Sequence, residues 1–316
     1  MVRQSQITCA ARPRAWLLVA VLAALLAACT TPAGPAAAPT AAAITLTDAG
    51  GQTVTLAGPA QRIVSIAPSN TELIFAAGAG AQLVGRDSLS DFPAEAAAVA
   101  SIGDVYPKVN TEALVALKPD LVLAADINSP EQIQALRDLG LTVFQVPNPV
   151  GLEGLYANLA TIGRLTGHEQ DATTQAAALQ ARVQAALAQV PQSGTRPKVY
   201  YELDATDPTK PYTAGPGTFI DTLITLAGGE NVAAGLGQAY AQISSEELVR
   251  QNPDIILLGD AAYGVTPESV AARPGWDAIA AVQNGAIHPF DDNLASRPGP
   301  RLVDGLEALV KLLHGQ

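Results

Sequence analysis

Two runs of four residues, Ile44-Thr45-Leu46-Thr47 and Thr53-Val54-Thr55-Leu56, alternate apolar and polar at period two around Asp48-Ala49-Gly50-Gly51. That pattern predicts a β-hairpin over residues 44–57. Beyond it, short β-rich runs alternate with helical patterns. Arg62 to Ile66 reads as a strand, Asn70 to Ala77 as a helix stopped by Gly78, and Thr111 to Leu117 as a helix stopped before Pro119. Asp120-Leu121-Val122-Leu123 reads as a buried strand, Pro130 to Leu139 as a helix ended by Gly140, and Leu141 to Val146 as another strand. Strand, helix, strand at this spacing predicts parallel βαβ units.

From Leu152 to about Val190 the alternation gives way to Ala, Leu, Gln and charged residues, interrupted by Gly154, Gly163 and Gly167. This predicts one or two long helices. After a loop over Pro191 to Pro197 the βα grammar resumes: strands at Lys198–Leu203, Asp254–Leu258 and Ala286–Phe290, helices at Thr218–Ala227, Glu246–Gln251 and Arg301–Leu313. The fold class is therefore α/β, two parallel-sheet, Rossmann-like lobes joined by a helical spine. The lobes run over 44–150 and 191–316, with the linking helix over 151–190.

The two halves also match residue by residue. Glu112-Ala-Leu114-Val115, Pro119-Asp120 and Asp126 correspond to Glu246-Glu-Leu248-Val249, Pro253-Asp254 and Asp260 at a constant offset of 134 (246 − 112, 253 − 119, 260 − 126). A weaker echo pairs Leu73-Ile74 and Ala77-Gly78 with Leu223-Ile224 and Ala227-Gly228, 150 apart (223 − 73). Duplicated α/β lobes bind ligands in the crevice outside the carboxyl ends of their strands.

The N-terminus changes the picture of where such a protein works. Residues 1–28 carry Arg3, Arg12 and Arg14 and no acid, followed by an uncharged run of 14 residues from Ala15 to Ala28. That run is short of the roughly 20 residues a spanning helix needs, and it reads as a signal peptide. It ends Leu26-Ala27-Ala28-Cys29, the order of a bacterial lipoprotein box, which makes Cys29 the lipidation site. Thr30 to Ala43 follows with seven Ala, three Pro, three Thr, one Gly and no charge, the composition of a flexible tether. The expected location is extracytoplasmic, in the periplasm or on the outer face of the cytoplasmic membrane, held by the lipid.

Of the 316 residues, 48% are hydrophobic, enough for a sizeable core, and the formal net charge is −11. Loss of the three signal-peptide arginines takes it to −14. This is the wrong sign for tracking a phosphate backbone, which argues against a nucleic-acid partner. Two Cys and three His cannot build a disulfide framework or a Cys-rich zinc site. His168, His288 and His314 fall in separate predicted elements, so neither a resident metal nor a cofactor is expected.

Glu112 and Glu246 stand in the first turns of equivalent predicted helices, where a carboxylate suits the helix N-terminus by ~0.3–1 kcal/mol. Ser244-Ser245-Glu246-Glu247 contains a Ser-x-x-Glu capping box whose acid is Glu247, which leaves Glu246 free. Ser69-Asn-Thr-Glu72 reads as a second such box. Two acids at matching places on two lobes also suit docking onto a partner with two symmetric basic sites.

Several segments then carry a resemblance: Arg62-Ile-Val-Ser-Ile-Ala-Pro68-Ser-Asn70-Thr71-Glu72-Leu73, Ser90-Asp91-Phe92-Pro93, Glu112-Ala-Leu-Val-Ala-Leu-Lys-Pro119-Asp120, Gly228-Gly229-Glu230-Asn231 and Arg297-Pro-Gly-Pro-Arg301. In this order, over roughly residues 60–313, the chain resembles the periplasmic binding proteins of cobalamin and ferric-siderophore ABC importers. The resemblance implies a monomer that delivers a metal chelate to a permease dimer driven by a cytoplasmic ATPase. It implies permease docking through Glu112 and Glu246. It also implies ligand contacts from Tyr106, Tyr212 and Tyr240, whose rings would line the cleft, and from Asn293 and Arg297 as polar groups. A loop Tyr can equally be a packing residue, and an Arg in a Pro-Gly loop can bond local carbonyls. Leu89 and Ala125 stand where cobalamin-binding members carry aromatic rings.

The expected cargo is therefore a corrinoid such as cobalamin or a ferric siderophore, with a haem receptor as the alternative. A membrane-tethered sensor would use the same lobes. A secreted hydrolase is the rival class, but Gly-x-Ser-x-Gly, His-Glu-x-x-His and the phosphate-loop motif are all absent.

Overall fold

A computed structural model describes residues 5–6, 42–149 and 151–315; residues 1–4 and 7–41, with the signal peptide, Cys29 and most of the tether, lie outside the described residues. Ala42–Gln316 form one compact unit. It opens with the hairpin, β1 (Ile44–Thr47) antiparallel to β2 (Thr53–Leu56), with Ile44 opposite Leu56. Val54 and Leu56 are buried and the intervening threonines exposed, as the alternation requires.

The N-terminal sheet contains β3 (Ile63–Ser65), β4 (Leu83–Arg86), β5 (Leu121–Ala124) and β6 (Val143–Gln145), all parallel, in the order β4-β3-β5-β6. Its helices are α1 (Pro68–Ala76), α2 (Thr111–Ala116) and α3 (Pro130–Asp138). Pro130 occupies the first turn of α3, where its missing N–H costs nothing, and Ser129 and Gln132 close a reciprocal capping box.

Two helices follow, α4 (Gly151–Thr166) and α5 (Glu169–Leu187), one of the two arrangements read from the sequence. Gly167 between them has φ +78°, a conformation open to glycine without strain, and Pro59 packs against its open face. With 19 residues at 1.5 Å each, α5 is about 28 Å long. At one end its Asp171 lies against Gly78 of the N-terminal lobe; beyond the other, Val190 lies against Gly228 of the C-terminal lobe.

The second sheet contains β7 (Lys198–Glu202), β9 (Glu230–Asn231), β11 (Ile255–Leu258) and β12 (Ile287–Pro289), again all parallel, in the order β12-β11-β7-β9. A two-stranded ribbon of β8 (Tyr212–Ala214) and β10 (Tyr240–Gln242) forms its own pair beside β7, with Thr213 donating to the Tyr201 carbonyl at 2.8 Å. The helices are α6 (Phe219–Leu226), α7 (Ser245–Gln251), the short α8 (Pro267–Ala271) and α9 (Ala280–Gln283), and α10 (Leu302–His314).

The sequence repeat is a structural repeat. Lys118 and Asn252, 134 apart, are the only non-glycine residues with positive φ among the described residues, at +47° and +51°. Each ends its helix just before the matching proline. Asp120 then accepts from the Arg62 amide at 2.9 Å, and Asp254 from the Lys198 amide at 2.8 Å. These carboxylates clamp the start of β3 and of β7, so β3 corresponds to β7 and β5 to β11. Under that correspondence the two strand orders are the same.

One face of each sheet has its own apolar cluster: Val64, Val122 and Leu114 in the first lobe, Tyr200, Ile256 and Trp276 in the second. The other faces share a single core. Ile63 and Leu123, Leu159 and Ile162 of α4, Leu179 of α5, Leu257, and Leu306 of α10 all belong to it. Burial on both faces explains the near-continuous apolar strands.

Candidate functional site

Chain segments leaving the carboxyl ends of both sheets meet each other. Arg297, after β12, bonds Asp91, after β4, at 2.6 Å. One turn into α1, Glu72 accepts from Arg301 at 2.6 Å and 3.1 Å, and the Arg301 guanidinium stacks 4.3 Å from the Phe92 ring centroid.

Among the described residues nine large apolar side chains are exposed, and seven of them belong to this carboxyl edge or its ribbon: Leu89, Phe92, Tyr106 and Ile127 on one lobe, Tyr212, Tyr240 and Tyr263 on the other. Exposed apolar side chains gathered on one side mark a binding surface. Tyr106 and Tyr240 are also 134 apart (240 − 106), each six residues before its lobe's first-turn glutamate. The repeat thus gives each lobe one exposed ring at its carboxyl edge. Tyr240 lies in β10, not in a loop as the sequence suggested, and its register with β8 puts it diagonally across from Tyr212 on the same ribbon face. Partial burial and then the charge of Asp292 raise the Tyr240 hydroxyl above its ordinary pKa.

The polar candidates are partly engaged. Arg297 uses one N–H on Asp91 and makes no local carbonyl bond among the described residues. Asn293 donates its side-chain N–H to Asp291 at 2.8 Å, which directs its remaining amide group elsewhere. Leu89 is exposed beside Asp87, whose buried carboxylate accepts from the Leu89 amide at 2.8 Å and from Ser90. Burial raises the pKa of Asp87. Ala125 is buried and presents no side chain to a ligand.

Two capping assignments are corrected. Pro68 already occupies the first turn of α1 and Ala67 is its cap, so Ser69 lies inside the helix and Glu72 faces Arg301 instead of the helix N-terminus. Burial raises the Glu72 pKa, opposed by the Arg301 bond and charge. Ser244 does cap α7, accepting from the Glu247 amide at 3.2 Å, but the Glu247 carboxylate turns to Arg250 and Gln251. Glu246 beside it is exposed and makes no side-chain hydrogen bond among the described residues, and the same holds for Glu112, where Asn110 caps α2. A βα crossover starts its helix at the carboxyl edge of the sheet, so both free acids stand on the edge that presents the tyrosines.

Sequence reasoning missed Asp91, Asp260 and Tyr263. The first lay within a motif noted only for its resemblance. Asp260 was noted only as the partner of Asp126 in the repeat. Among the described residues no group of three His, Cys, Asp or Glu is placed to hold a metal ion.

Two lobes of the same parallel topology, bridged by helices and exposing aromatic rings at their carboxyl edges, define a solute-binding protein of the two-lobed, helix-linked class. Residues 63–294 match the family described as periplasmic binding protein, and the chain belongs to that family. It is 32% identical over 276 residues to an uncharacterized ABC transporter substrate-binding lipoprotein, YvrC, of Bacillus subtilis, covering 86% of this chain and 85% of that one. It is 32% identical over 283 residues to a cobalamin-binding protein of Halobacterium salinarum, covering 86% and 74%. Among solved structures, the periplasmic haem-binding protein RhuT from Roseiflexus sp. RS-1 in apo form superposes with a TM-score of 0.72 at 27% identity, covering 81% and 98%. The names of these relatives describe binding, not catalysis.

Proposed function

We propose that this protein is the lipid-anchored receptor of an ABC importer. It captures a metal chelate, a corrinoid or a ferric siderophore, between its lobes and presents it to a permease dimer served by a cytoplasmic ATPase. Cys29 carries the anchor, Tyr106, Tyr212 and Tyr240 contact the chelate with Asn293 and Arg297, and Glu112 and Glu246 dock the permease. The single observation that carries this reading is the repeat itself. One offset of 134 relates Tyr106 to Tyr240 and Glu112 to Glu246, so ring and acid recur together on both lobes. A bulky, partly apolar chelate suits aromatic walls with few polar groups.

The shared core and α5 hold the lobes to a small closure on binding, because a helix resists the bending that a strand hinge permits. A haem cargo is the second reading, favoured by one feature. Tyr106 is 81% exposed, and its phenol has no protein partner among the described residues, the state an axial oxygen ligand requires.

The test is titration of the domain from Ala43 onward with cobalamin, cobinamide, ferric siderophores and haem, by tyrosine and tryptophan fluorescence with calorimetry. Tight one-to-one binding of one class is the expected result. Silence across all of them defeats the chelate reading.

A further inference from the structure

At the carboxyl ends of β7 and β11 the C-terminal lobe holds a cavity of about 500 Å³, lined by Leu203, Asp204, Thr206, Asp260, Tyr263 and Val265. It adjoins the ribbon, because Asp204 pairs with Tyr212 through a backbone bridge. Asp260 is 4% exposed. Its Oδ2 accepts from the Ala205 amide at 3.1 Å, while its Oδ1 is buried with no hydrogen-bond partner among the described residues. A buried carboxylate oxygen left unpaired is costly. The cation acting on it among the described residues, Arg273, is committed to Glu202 through two hydrogen bonds. Asp204 adds a second carboxylate, and Tyr263, 88% exposed, adds a ring face.

Two carboxylates, one with an empty acceptor, beside an aromatic face form a receptor for a nitrogen group that donates hydrogen bonds. We propose that this cavity is a subsite for an N–H-donating arm of the bound chelate, either a terminal ammonium or a primary carboxamide, with the Asp260 carboxylate as the acceptor. The proposal rests on the chelate reading above and narrows it: a cargo whose periphery bears only carboxylates finds a like charge here. Burial, then the charge of Glu202, raises Asp260 to a pKa of about 6, so its carboxylate ionises just below neutral pH and gains from an arriving donor.

The experiment compares three probes on the domain from Ala43 onward: cobinamide for the carboxamide, ferrioxamine B for the ammonium and haem for the carboxylate. Wild type is set against Asp260→Asn, which keeps an acceptor without charge, and Asp260→Leu, which keeps the volume without an acceptor. If cobinamide is the ligand, Asp260→Leu weakens it about tenfold and Asp260→Asn much less. If ferrioxamine B is the ligand, both variants weaken it about tenfold. A chelate that loses affinity in Tyr212→Ala but keeps it in Asp260→Leu overturns the subsite while leaving the receptor intact. Tight binding of haem unaffected by Asp260→Leu overturns it too. If no chelate binds, the chelate reading fails and the subsite is decided separately. Titration with n-butylamine hydrochloride against matched sodium chloride then supports it by a saturable shift of the Asp260 carboxyl carbon in NMR, absent in Asp260→Leu, and overturns it by no shift.

Discussion

Arg301 of the C-terminal lobe places both Nη2 and Nε on a single oxygen, Oε1, of Glu72 in the N-terminal lobe, with the side chains 10% and 1% exposed. The second oxygen, Oε2, is buried against Gly299 with no hydrogen-bond donor of its own. The pair therefore joins the lobes while leaving its acid incompletely satisfied. Removing one partner strands a buried charge, which costs about 3–5 kcal/mol, whereas replacing both by apolar residues of similar size is often neutral. Arg301→Met should destabilise the domain by that amount in urea, and Glu72→Leu combined with Arg301→Met should recover most of it. Equal loss in the single and double variants would show that packing, not charge, dominates here.

The docking pair makes a prediction that separates two events. Glu112→Ala with Glu246→Ala should abolish uptake in cells and leave ligand affinity unchanged, because neither acid makes a side-chain hydrogen bond among the described residues. Each change should cost under about 1 kcal/mol of stability, the scale of a first-turn charge. Weakened ligand binding in the double variant would remove the docking assignment.

The repeated tyrosines should be comparable to each other. Tyr106→Ala and Tyr240→Ala should each weaken chelate binding about tenfold or more, the usual loss for an aromatic anchor in a binding surface, with melting temperature unchanged for the exposed Tyr106 and little changed for the half-buried Tyr240. Calorimetry that shows one ring silent would mean that the ligand leans on a single lobe.

Asp260 links the site to pH. Its folded pKa of about 6 exceeds the ordinary 3.8, so the folded state holds the proton more tightly than the unfolded state does. Stability therefore falls as pH rises from about 4 to 6 and stays reduced above that window. Asp260→Asn should be the more stable protein at pH 7 by on the order of 2–3 kcal/mol, with the gap closing towards pH 4. Parallel stability curves for the two proteins would show that Asp260 titrates normally.

Much of the fold was legible because its signals are local. Pro119 and Pro253, the alternation in residues 44–56, and the glycine stops at Gly78 and Gly228 mark elements within one or two residues of where they lie. β4, β9 and the β8-β10 ribbon were not legible, since strands of two to four residues with mixed polarity carry no period to detect. The site divided the same way. Glu112 and Glu246 emerged from an exact repeat, but Asp91 with Arg297 and Glu72 with Arg301 join residues more than 200 apart, and nothing local distinguishes those acids from helix caps. Asp260 became a candidate only once its burial and its empty oxygen were visible.

The common core has a thermodynamic consequence. Ile63 and Leu123 of one sheet and Leu257 of the other belong to one continuous core together with residues of α4, α5 and α10. Separating the halves at residue 190 would leave each with an uncovered apolar face, so neither half has a stable existence of its own. The two lobes should therefore melt in a single cooperative step.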